Sequence, residues 1–148
     1  MSWPAPTQSK PENIMHERIL VPIKLKHAAL SDESMMKALS IARARNAEII
    51  ALTVVPEISK NLKALPEDSK PELEAFVKRH DTDGITISSV IRTGQPHRAI
   101  PRAAREFGCD LIVMNSHNPR IRDYVIGSTA AHVVMHAECD VLVVRQGK

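Results

Sequence analysis

The chain has 148 residues, of which 43% are apolar, 25% are charged and 3% are aromatic, and its formal net charge is +3. This length is typical of one domain with a full hydrophobic core, and the longest apolar run is far shorter than the roughly 20 residues of a membrane span. Two cysteines are too few for a disulfide framework and the basic residues are scattered, so we expect a cytoplasmic protein that contacts neither membrane nor nucleic acid. Residues 1–17 hold three prolines without periodicity, which predicts a mobile tail before a domain spanning 18–148.

The first part of the domain alternates a strand pattern with a helical one. The apolar runs at 19–23 and 49–55 are typical of strands that are buried on both faces. Between them Ser31 is predicted to begin a helix, because serine is a favourable capping residue. Asn46 is expected to end that helix in a left-handed conformation.

The middle of the chain combines a long polar loop with two further helical patterns. Residues 56–69 contain two prolines and are predicted to form a loop with room for one short helical turn, while Pro71 suits the first turn of a helix. Alternating apolar residues at 85–91 are typical of a half-exposed strand. A helical stripe follows at 99–107, where Pro101 predicts a kink or a late helix start because its ring clashes with a preceding carbonyl.

The last part of the chain repeats the order of strand, loop, helix and strand. Buried strands are predicted at 111–114 and 141–144, and a helix is predicted to open at Gly127 after the loop at 115–126. Strands and helices that alternate in this way predict an α/β fold with an open parallel sheet, helices on both faces and right-handed crossovers.

The loop before Gly127 and the helix start after it are the most informative segment for function. Ligands of open parallel sheets bind beyond the carboxyl ends of the strands, where the strand order reverses. The start Gly127-Ser128-Thr129 offers unpaired backbone N–H groups, two hydroxyls and the positive end of a helix dipole, which together suit a phosphate. Arg120 and Arg122 in the loop add charge-assisted contacts. The same residues serve equally well as an ordinary helix start with Ser128 as the cap, so both readings stay open.

Several segments of the chain resemble universal stress protein domains. They are Arg18 to Ile23, Leu52 to Pro56, Gly94 to Pro96, Gly127 to Thr129 and His136 to Arg145. The resemblance covers nearly everything from residue 18 to residue 145. It implies a five-stranded parallel sheet of order 3-2-1-4-5, in which many members bind ATP between the first and fourth strands and others bind no nucleotide.

Two departures from the family's ATP motif concern the loop and the end of the first strand. Asn115 and Asn118 stand in place of the first two motif glycines, and the spacing to Gly127 is one residue shorter. This pattern resembles a shortened-loop subgroup of the family, which implies that nucleotide binding is retained. Asn tolerates positive φ better than other non-glycine residues, which favours an unchanged backbone path. Lys24 replaces an Asp that holds the ribose or adenine. A lysine accepts no hydrogen bond, so Lys24 either attracts phosphate or points to solvent.

The resemblance implies a protein that binds an adenine nucleotide as a stress or regulatory signal, without catalysis. ATP is the expected ligand, with ADP or AMP as alternatives, and Mg²⁺ is left open as its companion. The residues predicted to bind it are Pro22, Lys24, Val54, Met114, Asn115, His117, Asn118, Arg120, Gly127, Ser128 and Thr129. The alternative is a nucleotide-free interaction protein whose loop is only a connector.

Two further expectations concern metals and assembly. His132 and His136 are spaced for one helix face, but no carboxylate or cysteine joins them in a zinc pattern, so no metal site is predicted. The last strand is apolar throughout and lies at an edge in the order 3-2-1-4-5, where it would invite aggregation if it were left open. It therefore predicts a homodimer that pairs this strand with its two-fold mate.

Overall fold

The computed structural model describes residues 17–56, 66–80, 82–116 and 126–145. Within them the strands are β1 (Arg18–Pro22), β2 (Glu48–Val55), β3 (Ile87–Thr93), β4 (Leu111–Asn115) and β5 (Asp140–Val144). The helices are α1 (Ala28–Arg45), α2 (Lys70–Lys78), α3 (Pro96–Glu106) and α4 (Ser128–His136). Short 3₁₀ turns precede α1 at Leu25–His27 and α2 at Pro66–Ser69.

All neighbouring strands run parallel, in the order β3-β2-β1-β4-β5. The predicted α/β class and the strand order that the resemblance implies are therefore confirmed. Helices α1 and α2 pack on one face of the sheet, and α3 and α4 pack on the other. None of the helices in the described ranges is long and apolar enough to cross a lipid bilayer.

The central strand β1 explains why the strand patterns are continuous rather than alternating. Ile19 and Val21 pack in the core under α1 and α2, whereas Leu20 packs in the core under α3 and α4, and all three are fully buried. Burying each such side chain contributes about 1.5–3 kcal/mol. A strand covered on both faces gains this contribution at every position, so its sequence shows no polar alternation.

The first helix begins three residues before the predicted start. The 3₁₀ turn runs directly into α1 at Ala28, and the N-cap residue is His27 without a side-chain capping bond. Ser31 is buried, and its Oγ accepts the backbone N–H of Lys24 at 3.3 Å, so the prediction that Ser31 begins the helix was wrong. The predicted end is confirmed, because Asn46 has a φ of 56° and donates its N–H to the Ala42 carbonyl.

The third helix and the third strand also differ from expectation at their ends. Helix α3 starts at Pro96 and runs through Pro101, so of the two predicted alternatives, a kink or a late start, the late start was wrong. A proline at the first helical position needs no N–H partner and already has the required φ. Strand β3 begins at Ile87, because the N–H of Ile85 is bonded to the Thr82 carbonyl in a preceding turn.

Candidate functional site

The sheet opens between β1 and β4 at the carboxyl ends of these strands. The two strands share only two residue pairs, of which the last is Leu20 with Ile112, although β4 runs on to Asn115. In contrast, β1 stays paired with β2 as far as Pro22 opposite Leu52. The separated strand ends enclose a cavity of about 420 Å³, a size within the roughly 300–1,000 Å³ range of small-molecule sites. It lies at the point where the strand order reverses.

The wall of this cavity has an apolar part, a basic part and a helix start. The apolar part includes Pro22, Ile23, Leu30, Leu52, Val54, Ile100 and Met114. The basic part consists of Lys24, Lys26 and His27, which follow β1. The helix start is Gly127-Ser128-Thr129 at the beginning of α4.

Eight of the eleven residues predicted to bind a ligand line this cavity. They are Pro22, Lys24, Val54, Met114, Asn115, Gly127, Ser128 and Thr129. The remaining three, His117, Asn118 and Arg120, lie outside the described residues, as does Arg122. The structure therefore brings the described candidates together at one edge of the sheet.

Sequence reasoning missed several polar residues of the cavity wall, among them Lys26, His27, Ser69 and Glu72. Lys26 and His27 were overlooked because no candidate was named between Lys24 and the predicted helix start at Ser31. Ser69 and Glu72 lie at the start of α2, beyond a long polar segment. A helix that follows a strand of a parallel sheet begins near the carboxyl end of that strand, and this rule was the available signal for the two α2 residues.

The start of α4 leaves backbone donors and hydroxyls available to a ligand. Gly127 is the N-cap residue, no side-chain capping bond is present, and the Gly127 carbonyl accepts the N–H of Ala131 at 2.9 Å. The reading of Ser128 as the capping residue was therefore wrong. The N–H of Gly127 donates to the Ser116 carbonyl at 3.1 Å, whereas the next three N–H groups precede the first i→i−4 bond and have no partner within the helix. This end of the cavity is suited to an anion.

The loop after β1 is held in place by hydrogen bonds to its backbone. The N–H of Ile23 donates to the Leu52 carbonyl at 2.7 Å, and the Ile23 carbonyl accepts the Thr53 hydroxyl at 3.1 Å. The backbone N–H of Lys24 is bonded to Ser31. The Lys24 side chain is nevertheless exposed at the mouth of the cavity, so its ammonium group is free to meet a ligand while its backbone is fixed.

Asn115 has a different role from the one that the sequence suggested. It has no positive φ, since Asn46 is the non-glycine residue with a positive φ among those described. The argument that asparagine preserves a left-handed backbone is therefore wrong at this position. Instead, Nδ2 of Asn115 donates to the Leu30 carbonyl, which ties the end of β4 to the first turn of α1 across the cavity wall.

No metal centre is evident in the part of the chain that the structure describes. It holds no group of three or more His, Cys, Asp or Glu side chains placed to bind a metal. The ring of His132 meets the rings of His97 and His136 edge to face, with centroids 4.6 Å and 4.0 Å apart, respectively. The three rings therefore pack in contact, with His132 in the middle, instead of pointing at a common centre. Burial raises the pKa of the Cys109 thiol to about 12, which keeps it neutral and unreactive.

The described residues form a doubly wound α/β domain with a cavity at its switch point. Comparison with known proteins identifies its family. A model described as the universal stress protein family matches residues 15–145. The chain belongs to the universal stress protein family. It is 27% identical over 143 residues to universal stress protein G of Shigella flexneri. The aligned region covers 88% of this chain and 100% of that relative.

Solved structures show the same fold. A universal stress protein in complex with cAMP has a TM-score of 0.71 and 23% identity, covering 89% of this chain and 99% of that one. A universal stress protein family protein from Arabidopsis thaliana with AMP bound has a TM-score of 0.66 and 20% identity, covering 88% and 92%. These likenesses show that the whole described sheet and its helices follow one shared architecture.

Proposed function

We propose that the cavity between β1 and β4 binds an adenine nucleotide and that its occupancy acts as a stress or regulatory signal in the cytoplasm. ATP is the expected ligand, with ADP and AMP as alternatives. The observation that carries this proposal is the pairing of an apolar wall with a helix start whose first three backbone N–H groups have no partner within the helix. The complexes of similar proteins with cAMP and AMP support it.

The chemistry of the wall suggests an orientation for the nucleotide. The base packs against Pro22 and the backbone of Val54, where the cavity is apolar. The phosphates lie over the start of α4, where Ser128 and Thr129 supply N–H groups and hydroxyls. Each hydrogen bond to a charged phosphate contributes about 1.5–3 kcal/mol. We also propose that the loop residues His117, Asn118 and Arg120 contact the phosphates.

We propose binding without turnover. Phosphoryl transfer needs a carboxylate or similar group that holds Mg²⁺ or orients the attacking water. Of the described residues, Glu72 is the acidic side chain on the cavity wall, and it belongs to α2 on the opposite face of the sheet from α4. A magnesium ion that accompanies ATP is then held by the phosphates themselves.

Calorimetric titration with ATP, ADP, AMP and cAMP tests the proposal directly. We expect saturable binding, and mass spectrometry of the purified, denatured protein should detect any nucleotide that copurifies. Flat titration traces at millimolar ligand, with no copurified nucleotide, would refute nucleotide binding. That result would favour the nucleotide-free interaction protein instead.

A charge substitution at the start of α4 tests where the phosphates lie. Ser128→Asp places a carboxylate in the first helical turn, which stabilises the helix by about 0.3–1 kcal/mol but repels a phosphate. We expect ATP affinity to fall roughly tenfold or more, the loss that one charge-assisted hydrogen bond produces. Ser40→Asp, at an exposed position of α1 outside the cavity wall, is the matched control. Equal ATP affinity in both variants would place the phosphates elsewhere.

We further propose that the protein is a homodimer through β5. The Val144 carbonyl accepts the N–H of Ser116 at 3.0 Å, so the polar backbone groups of Val144 face β4. Because these groups alternate along a strand, those of Val141 and Val143 face the open edge. An apolar edge of this kind is prone to aggregate unless it is covered, and antiparallel pairing with a second copy covers it.

A further inference from the structure

The strand order fixes which residue meets the middle of a nucleotide bound in the proposed orientation. Along the carboxyl edge of the sheet, the end of β1 lies between the end of β2 and the end of β4. Neighbouring strands are about 4.8 Å apart. A nucleotide with its base at Val54 on β2 and its phosphates at the start of α4 must therefore pass its ribose over the end of β1. After this strand end comes Ile23, which is buried, and then Lys24, whose side chain is exposed and lines the cavity.

The wall at this place is rich in basic side chains. Lys24, Lys26 and His27 come from one short segment, all three side chains are exposed, and all three line the cavity. Neither lysine forms an ion pair with a carboxylate of the described residues. The segment is itself fixed, because the N–H of His27 donates to the Lys24 carbonyl at 3.0 Å. The two lysine cations are therefore held at the mouth of a concave site, on whose wall Glu72 of α2 is the one acidic side chain among the described residues.

The donors of this segment fit an anion better than they fit ribose hydroxyls. An ammonium group donates three hydrogen bonds and accepts none, so it cannot receive the protons of the hydroxyl pair. Its hydrogen bonds to a phosphate are charge-assisted and about twice as strong as those to a neutral oxygen. Two unpaired lysines beside a partly enclosed cavity also raise the local concentration of anions.

We infer that the cavity selects an adenine nucleotide that carries a second phosphate on its ribose, at the 2′ or 3′ position, with that phosphate held by Lys24 and Lys26. The start of α4 then holds the 5′-phosphate, and the segment after β1 holds the phosphate on the ribose. This inference rests on the proposed function, because it uses the orientation of the nucleotide proposed there.

Titration with isomeric nucleotides tests the inference. Adenosine 3′,5′-bisphosphate, adenosine 2′,5′-bisphosphate and ADP carry two phosphates each, so ADP controls for phosphate number. We expect at least one bisphosphate isomer to bind roughly tenfold or more tightly than ADP, as one added charge-assisted contact predicts. AMP together with inorganic phosphate tests a separate anion, and affinity equal to that of the bisphosphate would overturn the requirement for a phosphate on the ribose.

Variants of Lys24 show whether this side chain is responsible. Lys24→Ala should remove most of the advantage of the bisphosphate over ADP, and Lys24→Asp should reverse the preference. Lys37→Ala changes an exposed lysine of α1 that does not line the cavity, and it should keep the advantage. A bisphosphate advantage that survives Lys24→Ala combined with Lys26→Ala would overturn the assignment.

The outcomes separate this inference from the proposed function. If AMP and ADP bind but neither bisphosphate isomer binds more tightly than ADP, the ribose-phosphate inference is wrong and nucleotide binding stands. If none of the nucleotides binds, the proposed function fails and the inference fails with it.

Discussion

Replacing Val143 by proline tests the proposed β5 contact while leaving the sheet of the single chain in place. The backbone groups of Val144 face β4, as its bond with Ser116 shows, and those of Val143 therefore face the open edge. Proline at position 143 removes one N–H from that edge. The β4–β5 ladder keeps its hydrogen bonds, and prolines are tolerated on edge strands when the lost N–H faces away from the sheet.

The expected magnitude follows from the two-fold symmetry of the contact. Each subunit loses one donor, and each loss leaves a carbonyl of the partner without a hydrogen bond, which costs about 1–3 kcal/mol. The dimer therefore loses about 2–6 kcal/mol. Since about 1.4 kcal/mol corresponds to a factor of ten, the dissociation constant of the dimer should rise between about 30-fold and about 10⁴-fold.

Sedimentation velocity over a micromolar concentration series measures this change, and thermal unfolding at the same concentrations checks the fold. Val143→Thr keeps the N–H and the branched shape, so it should remain a dimer. Leu142→Pro removes an N–H that faces β4 and should lower the melting temperature. A monodisperse monomer in the unmodified protein would refute the reasoning. So would a Val143→Pro dimer as stable as the unmodified one.

Two further predictions concern stability. Leu73 is fully buried and, together with Phe76, anchors α2 on the sheet. Leu73→Ala should therefore lower the free energy of unfolding, measured by urea titration, by about 2–5 kcal/mol. A loss below about 1 kcal/mol would contradict this packing. Burial, reinforced by His136, His97 and Arg98, lowers the pKa of His132 from its ordinary value of 6.5, so the unfolded chain takes up the proton first. The contribution of neutral His132 to stability is therefore complete above about pH 6.5 and is lost as the pH falls through the lowered pKa. On acidification, the melting temperature of the unmodified protein should fall more than that of His132→Gln. Equal pH dependence of the two melting temperatures would contradict this prediction.

The sequence predicted the alternation of elements well because the responsible signal is local. A run such as Ile49 to Leu52 is apolar at every position since both faces of β2 are covered, and this pattern is visible without knowing the neighbours. The end of α1 at Asn46 was equally visible, because few residues adopt a left-handed backbone readily. The strand order, in contrast, came from the family resemblance and not from the periodicity.

The errors arose where tertiary contacts decide the local structure. Ser31 has the chemistry of a helix cap, yet it is buried and bonded to Lys24, because Leu25 and Ala28 pack on the core and begin the helical path earlier. Glu72 was missed for a related reason, since its place beside the cavity depends on where α2 crosses the sheet. Capping propensity and sequence spacing contain neither kind of information.

The cavity and the β5 edge are joined by two consecutive backbone hydrogen bonds. Gly127, at the start of α4, donates to Ser116, and Ser116 donates to Val144 at the end of β5. The connection between the helix start and Val144, the residue beside Val143, therefore runs through backbone groups without an intervening side chain. Coupling between nucleotide binding and dimerisation is reciprocal. If the nucleotide changes the affinity of one subunit for the other, the affinities of the dimer and of the monomer for the nucleotide must therefore differ by the same factor. Nucleotide titrations of the unmodified protein and of Val143→Pro compare these two states with one ligand, and equal affinities would mean that the site and the edge act independently.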